Sequence, residues 1–514
     1  MLLPCLLLFL LTGGVHAREW RSGAHELCWS DKGPAPQQWS VQTGGDGVIS
    51  LHQPGAEQGQ LHLVVPDHQG WTWSAPAEDG APVRWRTRSG DADVTWELTG
   101  ADADYRLQLT VRVTNDGEQP LTLPDELRLH LGPGMGETPV EGLGIAETLY
   151  SFAQPVLYQG GELHRFDPDR AADDWLVAEA GDSGEPRWGG LQSRYFALLL
   201  QPLDASVGDW RVRTASPPGE TGVAPRYLPR LAIDLPLETL APDATHSWTF
   251  EVFAGPKARN SLAAAGADRQ GYEALLFPGL WQWMRVLAFA LLWLLGALHA
   301  VIPSWGLAII ALAVLVRLAM YPVARRALRS QAAFAEVQKI IQPEMKRIKR
   351  EYRGAEQSER ILDLYSEHGV SPLAGMKPLL IVLIQLPVFV ALFHVLGQAW
   401  ELREAGFLWI DTLAEPDRLL SFGVELPFLG SWFNLLPVLM ALTTLATIRL
   451  SPAPAADDRS RRLQTAMQVL MALAFLLLFY PFPAGMVLYW TMANVLHLLQ
   501  QGVVERWSGG RTGA

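Results

Sequence analysis

Cysteine is nearly missing from this chain. Cys5 and Cys28 are the only two thiols in 514 residues, so the sequence encodes neither a disulfide framework nor a cysteine-rich zinc site. Both read as inert thiols. Nucleotide signatures are missing as well. The cluster Gly132-Pro133-Gly134-Met135-Gly136 has no Gly-Lys after it, which a phosphate loop requires. His25-Glu26 lacks the second histidine of a zinc-protease helix. No metal, cofactor or catalytic residue is therefore expected, and nothing marks the chain as an enzyme. Positive charge is not in excess either. The formal net charge is −12, which removes the electrostatic reason to bind nucleic acid. Acidic side chains, finally, are absent from five apolar stretches: 304–323, 376–398, 431–448, 464–482 and 484–501.

The charge that is present is unevenly shared. Residues 1–280 carry 20 Lys+Arg and 37 Asp+Glu; residues 281–514 carry 21 and 16. Two halves of opposite balance imply two environments. At the N-terminus, Leu2 to Leu11 is a short apolar run followed by Val15-His16-Ala17. Ten apolar residues are too few to cross a hydrocarbon core of about 30 Å. They fit the core of a secretory signal cleaved after Ala17, with a retained anchor as the alternative. Either way, residues 18–280 belong outside the cytoplasm.

Residues 18–270 read as strand. Tyr105 to Val113 alternates polar and apolar, and Leu121-Thr122-Leu123 and Leu127 to Leu131 do the same after Asn115-Asp116-Gly117. Many short strands with Gly/Pro turns predict an extracytoplasmic all-β sandwich. Its bland role is that of a spacer or docking domain.

Each of the five apolar stretches is close to spanning length. The segment 324–375 holds ten Lys+Arg, and the loop 450–463 holds Arg459, Arg461 and Arg462. The loop 399–430 holds only Arg403 and Arg418 against six acidic residues. The positive-inside rule places 324–375, 450–463 and the tail 502–514 in the cytoplasm, and 399–430 outside. The expectation is a membrane α-helical bundle of five spans with a cytoplasmic helical hairpin. That hairpin pairs Val323–Tyr352 with Gln357–His368 around Gly354. Residues 281–302 are apolar enough to be a sixth span. If they were, Arg325, Arg326 and Arg329 would emerge outside, so this stretch is predicted to lie along the outer interface.

Depth organises the polar residues of the spans. Arg317 lies eight residues before Arg325, about 12 Å from that end. Gln385 in the second span, Thr443, Thr444 and Thr447 in the third, and Gln464, Thr465 and Gln468 in the fourth fall in the same cytoplasmic half. In the last, Trp490, Asn494, His497 and Gln501 share one face at spacings of 4, 3 and 4. Polar groups in hydrocarbon are tolerated where they face protein or water. A shared depth therefore points to one hydrated cavity open toward the cytoplasm. Scattered interhelical hydrogen bonds are the plainer reading for any single Thr or Gln. Arg317 has no acidic residue in any span to pair with.

These residues carry a resemblance. Trp305-Gly306-Leu307 through Val316-Arg317 to Met320-Tyr321-Pro322, the hairpin Gln342-Pro343-Glu344-Met345-Lys346, and Ser371 to Leu380 with Gln385-Leu386-Pro387 occur in that order. Glu401-Leu402-Arg403 with Phe407 to Asp411, and Pro483 to Trp490 with Asn494 and Gln500-Gln501, follow. Together they resemble the YidC/Oxa/Alb family of membrane insertases. Upstream, Trp188 to Phe196 and Phe253 to Lys257 resemble the periplasmic domain of its Gram-negative members. The chain departs from the family pattern at Met467-Gln468-Val469, which lacks the usual Met-Pro.

The resemblance implies insertion and folding of inner-membrane proteins through a hydrophilic groove, alone or with the Sec translocon. Arg317 inherits the groove arginine, with Gln385 and Tyr489 nearby by motif. The groove residues expected are Arg317, Gln385, Tyr489, Trp490, Asn494, Thr443 and Gln468. Expected partners are nascent membrane proteins, the Sec translocon, lipid and, through the hairpin, the ribosome. Two rival readings predict other things. A small-solute transporter predicts repeated halves, and an envelope enzyme acting through the β domain predicts paired carboxylates in a cleft.

Overall fold

The computed structural model describes every residue except 1–17, 30–32, 44–47, 52–59, 67, 75–80, 101–104, 124–126, 133–134, 136–152, 167–174, 179–183, 204–206, 214–228, 267–270, 368–376, 427–428, 451–457 and 510–514. In parts of the helices, among them 323–339, 377–384 and 501–509, it describes the backbone alone. The signal segment expected at 1–17 thus falls outside the described residues. The chain divides into two compact units, Met1–Pro278 and Gly279–Ala514.

The first unit is a β-sandwich. A nine-stranded antiparallel sheet is centred on the twelve-residue strand Thr245–Pro256, which pairs with Phe196–Pro202 on one side and Arg106–Asn115 on the other. A five-stranded sheet runs Leu176–Ala178, Trp210–Arg213, Arg230–Leu235, Leu127–Leu131, His62–Val64. A four-stranded sheet holds Arg18–Ser22 to Val48–Ser50. The alternation legible in the sequence is what builds the core. Val83–Ser89 strictly alternates buried and exposed, so Val83 and Trp85 point inward while Arg84 and Arg86 face water. Trp85, Trp96, Trp188, Trp210 and Trp248 are all fully buried. Gly189 shows how the two larger sheets meet. A Cβ there would come within 2.5 Å of the Trp210 ring on the five-stranded sheet, so glycine is what lets the indole approach the opposing backbone so closely.

Three details differ from the sequence expectation. Leu121-Thr122-Leu123 is not a strand; only Leu121 bridges to Leu240, because the turn before it ends the pairing. Helix α1, Arg259–Gly266, follows the last strand, and a 3-10 turn, Tyr272–Leu275, carries the unit past residue 270. Tyr272 packs edge-on against Trp188 at 5.3 Å, so this end belongs to the core. Cys28 is buried and disulfide-bonded rather than an inert thiol.

The second unit is helical. Its elements are α2 (Gln282–Val301), α3 (Trp305–Glu351), α4 (Ala355–Glu367), α5 (Lys377–Gln398), α6 (Leu435–Leu450), α7 (Asp458–Phe479) and α8 (Ala484–Gly509). Among the described residues, Gln282–Val301 and Trp305–Pro322 are long and apolar enough to cross a membrane. The helix α2 buries Met284, Ala288, Leu291 and Leu295 on one stripe and exposes Trp281, Trp283, Val286 and Trp293 on the other. The apolar stretch 431–448 does not begin as helix. Gly430–Phe433 is a strand paired with Leu420–Leu426, and α6 starts at Leu435. At the other end, α4 folds back on α3. Ile341, Ile348 and Leu364 form a small core with Met345, Tyr352, Ile361 and Tyr365 around it. The reversal occurs at Gly354, whose φ of 66° suits glycine.

Candidate functional site

The helix α8 is the hub of the helical unit, packed against α3, α5 and α6. Gly306 and Gly485 let the helices start close to their covering loop. A Cβ on Gly306 would sit 2.1 Å from the Phe407 ring, and one on Gly485 would lie 3.1 Å from the Leu413 carbonyl. This loop end is tied by hydrogen bonds. The Asp417 carboxylate accepts from Leu436 N at 2.9 Å and from Trp409 Nε1 at 3.1 Å, so it caps the start of α6 and braces the loop. Asn434 Nδ2 donates to the Tyr480 carbonyl at 2.8 Å, and its Oδ1 accepts from Arg418 N at 3.1 Å. The otherwise orphaned Ala484 and Gly485 amides of α8 donate to the Glu415 and Leu413 carbonyls at 2.7 and 2.8 Å. Burial raises the Glu401 carboxyl above its ordinary range in the same loop.

Away from that end the polar residues of the helices sit half-buried. Arg317 is twelve residues into α3 from Trp305, about 18 Å along the axis. Its Nε donates to Gln500 Oε1 at 2.8 Å, and its Nη2 meets His497 Nδ1. Both partners lie on α8, three residues apart and so on one face. Among the described residues no carboxylate pairs with Arg317.

The other expected groove residues are distributed as follows. Asn494 Nδ2 donates to Thr444 Oγ1 at 2.9 Å, joining α8 to α6. Thr443 and Thr444 return their hydroxyl protons to the Met440 carbonyl within α6, which satisfies them locally. Trp490 stands in an aromatic cluster, 4.6 Å from Phe389, 5.2 Å from Phe479 and 6.1 Å from Phe475. It therefore packs α5 and α7 against α8. Tyr489 is buried on α8. Gln385 on α5 and Gln468 on α7 are half-buried, and neither bonds Arg317. Sequence reasoning missed the tie from Arg317 to Gln500. A search for neutral acceptors at the arginine's depth, rather than for acids alone, would have found it.

The two units also match known proteins separately. Residues 297–510 match the family model described as 60Kd inner membrane protein, and residues 53–294 match the YidC periplasmic domain. A membrane protein insertase YidC of Cupriavidus taiwanensis is 31% identical over 465 residues, 88% of this chain and 74% of that protein. One from Janthinobacterium is 32% identical over 280 residues, 54% of this chain and 46% of the relative, so the chain spans about half the length of that relative. The solved structure of an active YidC insertase covers 98% of this chain and 97% of its own at 19% identity and a TM-score of 0.34. With its β-sandwich ahead of apolar helices, the chain belongs to the YidC family of membrane proteins.

Proposed function

We propose that the chain is an insertase of the bacterial inner membrane. Its helical half crosses the bilayer five times, through α3, α5, α6, α7 and α8. The β domain lies in the periplasm, and the hairpin and C-terminus lie in the cytoplasm, as the loop charges favour. The helix α2 rests along the outer interface, because a sixth span would export the arginines that follow Pro322. Arg317, Gln385, Thr443, Gln468, Tyr489, Trp490 and Asn494 line or border a groove open to the cytoplasm. Nascent membrane proteins are the clients, delivered alone, beside the Sec translocon or from a ribosome at the hairpin.

One observation carries this reading. Among the described residues Arg317 is a half-buried cation with neutral partners only, so water or a visiting anion completes its solvation. The hydrogen bonds that tie the loop end, together with the half-buried polar residues away from it, favour entry of such a visitor from the cytoplasm. There the groove hydrates the bilayer locally and shortens the apolar path. The helix α6, with 16 residues, extends only about 24 Å. An acidic or polar client segment reaches the arginine, and the client's own apolar helix then partitions into lipid. This cycle is driven by burial and calls for no nucleotide. Crosslinking from position 317 to ribosome-bound nascent chains tests the reading. Adducts with short-tailed membrane clients are expected, and their absence would refute it. Arg317→Ala should abolish insertion of such a client, whereas Arg317→Lys asks whether charge suffices without the planar fork.

A further inference from the structure

We propose that His497 and Gln500 are positioning residues that hold one edge of the Arg317 guanidinium and thereby aim its other edge at a client carboxylate. The inference rests on the insertase reading and adds a specificity to it. A guanidinium carries five N–H donors and no acceptor. Gln500 engages Nε and His497 engages Nη2, and these two nitrogens form the side-on edge of the fork. Because Arg317 can only donate, His497 Nδ1 must be the acceptor, which leaves the imidazole neutral with its proton on Nε2. The two partners stand three residues apart on α8, so one helix face grips one edge.

Three N–H groups remain: both on Nη1 and one on Nη2. One of them on each terminal nitrogen forms the end-on edge, whose geometry matches the two oxygens of a carboxylate. A neutral grip keeps this edge available. A carboxylate at 497 or 500 would take the arginine's charge for itself, whereas an imidazole and an amide orient it and leave its charge unspent. Without the grip, the side chain is free to swing toward the membrane surface. The ligand is thus an Asp or Glu side chain, or a C-terminal carboxylate, on the segment of client that enters the groove.

The test uses the full chain in liposomes and two model clients, each a single apolar span with a short tail. One tail carries an Asp and the other an Asn at the same position. Tail protection from protease reports insertion. The unaltered chain is expected to insert both, the Asp client more efficiently. His497→Leu and Gln500→Leu should each lower insertion of the Asp client about tenfold, the effect of one charge-assisted hydrogen bond, and lower that of the Asn client far less, so that the preference for Asp is lost. His497→Gln, which keeps a neutral acceptor, should retain the preference for Asp. Gln500→Glu, which installs an internal partner, should lose it. An equal fall for both clients would show a structural role only and overturn the proposal, as would leucine variants that still prefer Asp. If the unaltered chain inserts neither client, the insertase reading fails instead.

Discussion

Asp234 in the β domain and Arg317 in the helical half are each a single charge withdrawn from water, and they are held in opposite ways. Asp234 is 2% exposed and accepts from Arg128 Nε and Arg211 Nε, both at 2.6 Å. Its charge is met twice over within its own sheet. Lys257 is enclosed as well, but by neutral groups: its Nζ donates to Gln192 Oε1 and the Ser193 carbonyl, both at 3.1 Å. Arg317 is only half-buried and meets two neutral groups. The β domain therefore uses its buried charges to fix strand to strand. In the helical half, among the described residues, Arg317 is met by an amide and an imidazole and by no carboxylate.

Asp234→Ala is the hardest blow to that contrast. Two arginines lose a shared partner, and the cost should be about 3 kcal/mol after allowing for their partial exposure. Thermal unfolding of the full chain in detergent measures it. A loss no larger than that of a surface pair would remove the distinction drawn here.

Lys257 gives a titration. Burial lowers its pKa from 10.5 to about 7. Between those values the unfolded chain binds a proton that the folded chain does not, so stability should rise with pH from about 7 to 10.5 and be flat below. The slope is at most about 1.4 kcal/mol per pH unit. The protection factors of the Thr245–Pro256 amides, corrected for intrinsic exchange, should rise accordingly across that range, and Lys257→Met should remove the dependence.

Smaller still is Asp417→Ala, which uncaps α6 at a cost of about 1 kcal/mol. Faster amide exchange confined to the first turn of α6 is the expected sign. Arg84→Ala marks the floor. Its pair with Glu97 at 2.5 Å is more than half exposed on the arginine side, so the change should fall within about 0.5 kcal/mol.

Much of this was legible in the sequence, for local reasons. Period-two alternation fixes the faces of Val83–Ser89 and Arg106–Asn115 before any sheet forms. Gly354 and the apolar positions 341, 345, 348 and 361 likewise specify the hairpin. The misses share a physical cause, which is that they depend on partners distant in the chain. Ser431-Trp432-Phe433 is apolar enough for a span, yet Leu420 and Ser421 claim it for a strand. The role of Asp417 is invisible until the Leu436 amide stands beside it. Spacing singled out Trp490, but the three phenylalanines from two other helices that pack around it are far away in the chain. The Arg317 site was half legible. Depth singled out the arginine, whereas its grip needed residues 180 and 183 positions away.

The helix α3 is 47 residues long and runs unbroken from Trp305 to Glu351. At 1.5 Å per residue it is a beam of about 70 Å, with the hairpin core near one end and Arg317 on the other side of its midpoint. Pro322 and Pro343 each delete one rung of its hydrogen-bond ladder, so bending stiffness is lowest at those two places. Pro322 is five residues beyond Arg317. A sideways load on the hairpin is therefore absorbed as flexure before it reaches the arginine, and the beam insulates the charge mechanically from whatever pulls on the far end.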